Sequence, residues 1–351
     1  MAVARATGRA TLKDVAQRAG VSPQTVSNYL NGRHRPRSTT RERVERAIEE
    51  LNYRRNASAR ALRSQRVNAI ALLLEDPNRL GLHDPLHMEF LHGAAQAARE
   101  LGFHLTVEVT APGETEETAL QLVSEGRVDG LILSLGGVEI SGRGGLGTLA
   151  KEGVPIVLLQ ERVAIPSVFT ISAQDEIGAA QAVSHLVELG HELIAFICGE
   201  PLWPGPERRR DGFRSAVAAN PGVRSVEWMC DAYTIEAARQ RVATELTLHG
   251  RPTAIVAAND VIALGVVQQA TELGIAVPDA LSVVGFNDFD FASWVRPSIT
   301  TIRIPGSQMG ARAVDLVVGA VTGDRAPESV SFQVELVARE STGNPPSRGV
   351  R

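Results

Sequence analysis

Hydrophobic positions change their spacing once along this chain. Up to Leu51 they recur three and four residues apart, the period of a helix face, whereas from Val67 onward short Val-, Ile- and Leu-rich runs alternate with longer amphipathic stretches. In the first part Leu12, Val15, Ala16 and Ala19 share one face, opened by Thr11 and Asp14 as a capping box and closed by Gly20. Ser22 then N-caps a second helix. That helix has Pro23 at its first position, Val26, Tyr29 and Leu30 on its apolar face, and Asn31-Gly32 as its stop. Ser38 and Thr39, with Glu42 completing another capping box, start a third, which Val44, Ala47, Ile48 and Leu51 pack against the other two. Two short helices joined through Ala19-Gly20-Val21-Ser22 make a helix-turn-helix, whose second helix can enter the major groove of DNA.

Beyond Val67 the strand candidates are Ala69 to Leu74, His104 to Glu108, Gly130 to Leu133, Ile156 to Leu159, Leu193 to Cys198, Ala254 to Ala257 and Leu281 to Phe286. Between them lie helix candidates at Glu89 to Leu101, Glu116 to Glu125, Gly178 to Leu189, Arg208 to Ala219, Ile235 to Leu248 and Val261 to Leu273. This alternation predicts parallel sheets covered on both faces, and there are too many units for one sheet. Two similar α/β lobes are expected.

Charge sharpens the division. Of the 351 residues, the first 66 hold fifteen Lys and Arg against five Asp and Glu, so a chain of net charge −4 carries a head of +10 on a remainder of −14. Such a head is the electrostatic footprint of a polyanion-binding module. No apolar run approaches the roughly 18 residues of a membrane helix, and residues 1 to 11 lack the apolar core of a secretory signal, so a cytoplasmic location is expected. Cys198 and Cys230 are too few for a disulfide framework and have no zinc spacing, which predicts buried, inert thiols.

Thr11-Leu12-Lys13-Asp14-Val15-Ala16, Ala19-Gly20-Val21-Ser22, Thr25-Val26-Ser27 and Leu51-Asn52-Tyr53 closely resemble the headpiece of the lac repressor (LacI/GalR) family of transcription regulators. Four blocks in order on a basic segment are far more specific than a lone helix-turn-helix pattern. The resemblance implies a division into a DNA-binding headpiece at 1 to 55, a hinge helix at 56 to 66 and a two-lobed effector-binding and dimerisation domain at 67 to 351. Pro23, Gln24 and Asn28 would face base edges, where the amides can pair with adenine. Thr25, Ser27 and the cluster Arg33, Arg35 and Arg37 would meet phosphates, positioning without specifying, and Thr11, Leu12 and Ser22 are counted among the DNA-binding residues. Asn28 stands where many family members carry Arg. In the hinge, Asn56 and Ala59 would lie in the minor groove, and Leu62 would wedge a base step open.

The resemblance continues through Arg127-Val128-Asp129-Gly130, Leu189-Gly190-His191, Ala258-Asn259-Asp260, Val284-Gly285-Phe286 and Pro297-Ser298-Ile299-Thr300-Thr301-Ile302. It implies a periplasmic-binding-protein-like sensor of two parallel-sheet α/β lobes, with crossings near 160 to 164, 290 to 294 and 322 to 328. A ligand would sit in the cleft at the carboxyl ends of the strands. Residue by residue, Arg209 matches an Arg that the family points into the pocket, and Asn259 a pocket amide. Trp203 and Tyr233 fall where other members place ligand contacts, as rings that suit a sugar or base face. Asn287 replaces an Asp of many members, so it donates and accepts but brings no charge. The effector implied is a neutral sugar or related polar metabolite, with a purine or nucleoside as the alternative, and no cofactor.

Other signals carry less. Gly142-Arg143-Gly144-Gly145-Leu146-Gly147 satisfies G-x-G-x-x-G but follows no first strand, and is expected to be a flexible surface loop rather than a nucleotide site. His83, His87 and His92 near Asp84 lack metal-site spacing and are expected to be structural or solvent-facing. No nucleophile, base and acid form a recognisable motif, so the chain does not read as an enzyme. A solute-binding protein on the same fold would not carry the basic head. A homodimer on a pseudo-palindromic operator is expected, because one helix-turn-helix offers too few base contacts. The tail from Ser341 has no heptad repeat to build a larger oligomer.

Overall fold

The computed structural model describes residues 10–30, 38–53, 66–76, 85–135, 144–161, 165, 167–200, 203–248, 250–324 and 328–346. Arg33, Arg35 and Arg37, the hinge positions Asn56, Ala59 and Leu62, and His83 with Asp84 lie outside the described residues. The chain divides into two compact units, Met1–Val67 and Asn68–Arg351.

The first unit holds α1 (Leu12–Ala19), α2 (Pro23–Leu30) and α3 (Ser38–Glu50). The Thr11 hydroxyl accepts from the Asp14 amide at 3.3 Å while Asp14 accepts from the Thr11 amide at 2.7 Å, and Gly20 ends α1 in the left-handed conformation at φ 63°. Both ends follow from the sequence signals. Ser22 Oγ caps α2 by accepting from the Thr25 amide at 3.1 Å. Val15, Ala16, Ala19, Val26, Val44 and Ala47 form a small core, closed at the surface by Tyr29, whose hydroxyl donates to Glu45.

The second unit begins with β1 (Ala69–Glu75), α4 (Pro85–Glu100), β2 (His104–Thr110), α5 (Thr115–Ser124), β3 (Gly130–Ser134), α6 (Gly145–Lys151), β4 (Ile156–Leu159) and β5 (Val168–Ala173). These strands pair in parallel in the order β5-β4-β3-β1-β2. The chain then builds a second sheet from β6 (Leu193–Gly199), β7 (Arg224–Cys230), β8 (Ala254–Ala257), β9 (Ser282–Asn287) and β10 (Thr300–Arg303). Around it lie α7 (Asp175–Glu188), α8 (Pro204–Ala218), α9 (Ile235–Glu245), α10 (Asp260–Glu272) and the short α11 (Phe291–Trp294). Next, α12 (Gly306–Thr322) packs back against α4, β11 (Val330–Phe332) joins the first sheet beside β5, and β12 (Glu335–Val337) runs antiparallel to β10 in the second. The two expected lobes are therefore two sheets of six strands, parallel except for β12.

The crossings differ from expectation. They fall at Ala173–Asp175, Arg303–Gly306 and Phe332–Glu335 rather than near 160–164, 290–294 and 322–328. The chain adds β5 to the first sheet before leaving it, and β10 to the second before returning. Thr170 and Ser172 interrupt the apolar run of β5 yet are buried, which is why Val168–Ala173 does not read as a core strand. The glycine-rich stretch also differs: Gly145–Lys151 is a helix with Leu146, Gly147, Leu149 and Ala150 buried, and Glu116 accepts from its first amide at 2.8 Å. Leu146, Leu149 and Ala150 recur at helical spacing, and this apolar face overrides the glycines.

Two glycines fix the helix packing that positions the site. A Cβ on Gly310 of α12 would lie 2.1 Å from the Phe90 carbonyl oxygen of α4, and one on Gly212 of α8 would lie 2.5 Å from the Glu176 carbonyl oxygen of α7. Only glycine permits these backbone approaches.

Candidate effector cavity and nucleic-acid interface

On the first unit, the expected DNA-contacting residues fall into two groups. Ser22, Pro23 and Gln24 are exposed along the start of α2, with Thr25 and Asn28 partly so. Gln24 Nε2 donates to Asn28 Oδ1 at 2.8 Å, which leaves an amide oxygen on one and an amide NH2 on the other to face a base pair. Thr11 and Ser22 use their hydroxyls as helix caps. Leu12 packs against the small core, and Ser27 is buried, so each has less surface to offer DNA than Pro23 or Gln24.

On the second unit, a cavity of about 390 Å³ lies between the lobes. Its walls include residues at and just past the carboxyl ends of strands: Glu75 ending β1, Ser134 ending β3 with Leu135 after it, Gln160 after β4, Asn259 after β8, and Asn287 ending β9 with Phe289 after it. Trp203, Arg209 and Tyr233 complete it, so all five residues expected to meet an effector come together here.

Their chemistry is not all as expected. Arg209 is 2% exposed, and its guanidinium faces inward: Nε donates to Asp175 Oδ1 at 2.9 Å, Nη1 donates to the Ala258 carbonyl at 2.5 Å, and Cζ sits 4.0 Å over the Phe286 ring. The expected fork toward a ligand is thus largely occupied by the protein. Asp175 also accepts from Arg208 Nε and Nη2 at 3.0 and 2.8 Å, while Arg208 reaches the Gln160 carbonyl at 2.9 Å. Gly212 makes this cluster possible, because it lets α8 lie on the start of α7 one turn beyond Arg209. Asn259 is the N-cap of α10, its Oδ1 accepting from the Ile262 amide at 2.9 Å, which leaves only its NH2 toward the cavity.

Some other polar groups of the wall keep hydrogen-bonding capacity. Trp203 Nε1, Gln160 Oε1 and Asn287 Oδ1 are buried without hydrogen-bond partners among the described residues, and the buried Tyr233 hydroxyl, beside the Trp203 backbone amide, still has its own proton to donate. Buried polar atoms are normally paired, so this unspent hydrogen-bonding capacity in one cavity wall suits a ligand that would supply the partners. Trp203 stacks with Tyr233 at 5.2 Å between centroids and lies nearly parallel to His87 at 6.4 Å, joining α4 of one lobe to α8 of the other. His87, expected to be structural or solvent-facing, is buried and stands in the cavity wall.

Asp175, Arg208, Gln160, His87 and Asp260 carry roles that sequence reasoning missed. Asp260 is fully buried behind the cavity; it accepts from the Phe289 amide at 2.8 Å and from Thr301 Oγ1 at 2.6 Å, holding the loop after β9. Burial pushes its carboxyl up to about 7 against those hydrogen bonds. Cys198 and Cys230 are buried as expected, and burial pushes their thiols up to about 11 and about 12, which keeps them inert. Among the described residues no group of three or more His, Cys, Asp or Glu could hold a metal, and no helix is long and apolar enough to cross a membrane.

A helix-turn-helix unit followed by a two-lobed α/β body with a ligand-sized cavity at its strand ends defines a DNA-binding transcription regulator that carries its own sensor. Residues 11–56 match the bacterial regulatory proteins of the lacI family, and residues 183–342 match the periplasmic binding protein-like domain. The chain is 32% identical over 338 residues to the HTH-type transcriptional regulator DegA of Bacillus subtilis (strain 168), covering 95% of this chain and 98% of that one. The fold is similar to that of the lac repressor dimer bound to operator and the anti-inducer ONPF, with a TM-score of 0.84 and 28% identity over 96% of this chain and 100% of the other. It is also similar to a complex of the transcriptional regulator CelR with cellobiose, with a TM-score of 0.69 and 28% identity over 95% and 100% of the two chains. This chain belongs to the LacI family of bacterial transcription regulators.

Proposed function

We propose that the chain is a cytoplasmic repressor that binds a pseudo-palindromic operator as a homodimer and is switched by a small sugar held in the interlobe cavity. The observation that carries the effector reading is the set of buried polar atoms with unspent hydrogen-bonding capacity, on Trp203, Tyr233, Gln160 and Asn287, in the wall of one cavity between two lobes. Two are donors or can donate and two are acceptors, which is the complement of neighbouring hydroxyls on a sugar. The CelR relative, named for a complex with cellobiose, supports the same choice. The operator reading rests on the exposed start of α2, with Pro23, Gln24 and Asn28 toward bases, Thr11, Leu12, Ser22, Thr25, Ser27 and Arg33 toward the backbone, and Asn56, Ala59 and Leu62 in the hinge.

The domain reading, with a headpiece at 1–55, a hinge at 56–66 and a sensor at 67–351, is part of this proposal. Because ligand binding can shift DNA affinity only through a difference between two lobe arrangements, the effector must favour one of them. Selection of bound duplexes from a randomised library, with light scattering on the free protein, tests the operator and the dimer. A twofold-symmetric consensus and a dimer are the expected results; an asymmetric consensus or a monomer at micromolar concentration overturns them. Thermal-shift titration with simple sugars tests the effector, and no shift with any of them rejects it.

A further inference from the structure

Four helix N-termini converge on the cavity, those of α4, α8, α9 and α10. Helix N-termini attract anions through their free amides and dipoles, so this arrangement would ordinarily make an excellent phosphate site. Here several of those donors have been removed or taken. Helix α4 begins at Pro85, and α8 has Pro204 and Pro206 at its first and third positions, where no N–H exists. The third amides of α9 and α10 are capped by side chains, Thr234 on Ala237 at 3.2 Å and Asn259 on Ile262 at 2.9 Å.

The charges follow the same logic. Arg209 is the one cation in the cavity wall among the described residues, and its Nε and Nη1 donors are turned inward and taken by Asp175 and the Ala258 carbonyl. Glu75 and Glu236 stand in the same wall with negative charge. Moreover, Gln160 Oε1 and Asn287 Oδ1 are acceptors that a sugar hydroxyl can donate to, whereas the ionised phosphate group that replaces one hydroxyl in an ester has only acceptors and would leave unpaired whichever of them it faced.

We propose that the cavity admits an uncharged polyhydroxyl ligand and refuses its phosphate ester, and that Asp175, by taking up the Arg209 charge, is the positioning residue that sets this choice. The proposal rests on the reading of the cavity as a sugar effector site. It makes the regulator responsive to a sugar before phosphorylation, so that a kinase or phosphotransfer reaction acting on that sugar would remove the signal.

The test is calorimetric titration of the full chain with glucose, ribose, cellobiose and maltose, each beside its own terminal phosphate ester. At least one neutral sugar should bind, with its ester weaker by on the order of a hundredfold. An ester that binds as tightly as its parent sugar overturns the proposal while leaving the effector reading intact; binding by none of the panel removes both. Pro206→Ala restores an amide at the start of α8, and Asp175→Asn releases Arg209; each should raise the affinity of the ester relative to the sugar by on the order of tenfold. Should Asp175→Asn fail to fold by circular dichroism, Pro206→Ala carries the test. Equal changes for sugar and ester would mean that these residues only support the fold, and would overturn their assignment to charge selection.

Discussion

In the first unit Arg18 and Arg41 lie at the surface with side chains 58% and 60% exposed, paired to Glu50 and Glu45; in the second, Arg209 and Arg208 are 2% and 11% exposed and share Asp175. The same residue type thus serves opposite ends. Surface pairs contribute little, are screened by salt and can exchange a carboxylate partner for a phosphate when DNA arrives. The buried cluster is held against any exchange, because removing one partner strands a charge away from water. A charge of +10 on the first 66 residues against −14 on the remainder is therefore more than an imbalance in composition. Positive charge is available to a polyanion at one end of the chain and withheld from it at the other.

The largest expected effect breaks the buried side of this comparison. Asp175→Ala should cost about 3–5 kcal/mol of stability, read from denaturant midpoints, because it leaves two guanidiniums without their counter-ion. Raising salt should barely change that loss, whereas the affinity for random duplex DNA should fall steeply with salt. On the DNA side, Leu62→Ala should weaken specific operator binding by roughly 2 kcal/mol and leave random-duplex binding and its salt slope almost unchanged, since only the bent operator receives a wedge. Gel-shift titrations on both duplexes decide, and equal losses would make the hinge an ordinary linker. Thr11→Ala should cost about 1 kcal/mol of headpiece stability through the lost cap of α1, with a matching downward shift in melting temperature.

A pH profile sharpens the comparison at smaller scale. The Asp260 carboxyl ionises at about 7 when folded and near its ordinary 3.8 when unfolded. Between those values the folded chain keeps a proton that the unfolded chain has lost, so stability falls as pH rises through the window and is level above it. Burial raises Glu89 and Glu161 to about 7 as well, which adds to the same slope. Midpoints measured from about pH 5 to about pH 8 should fall in the wild type and fall less in Asp260→Asn. Identical profiles would show that Asp260 does not titrate in this range.

Much of the architecture was legible because local signals agreed. Ile156–Leu159 and Ala254–Ala257 are strands with the expected limits, and the Thr11–Asp14 and Gly20 caps formed as their residue types require. What failed had a physical cause in each case. β7 has four exposed residues at its start, Arg224, Ser225, Val226 and Glu227, so it lacks the apolar run of a central strand. In α12, Gly306, Gly310 and Gly319 weaken the helical signal, although contact with the Phe90 backbone demands glycine at 310. The cavity was found through its aromatic and amide residues. Its electrostatics were hidden, because Asp175 meets Arg209 across 34 positions of chain and nothing local to either announces the partner.

The three crossings at Ala173–Asp175, Arg303–Gly306 and Phe332–Glu335 mean that neither lobe is a continuous piece of sequence. During synthesis the first lobe stays without α12 and its edge strand β11 until almost the whole chain has left the ribosome, even though its other five strands come from residues 69–173. The second lobe in turn waits for β12. Such long-range closure slows folding and leaves sheet edges open meanwhile. A chain ending near residue 324 would lose an edge strand from both sheets at once, so the body should be gained or lost as a single cooperative block rather than lobe by lobe.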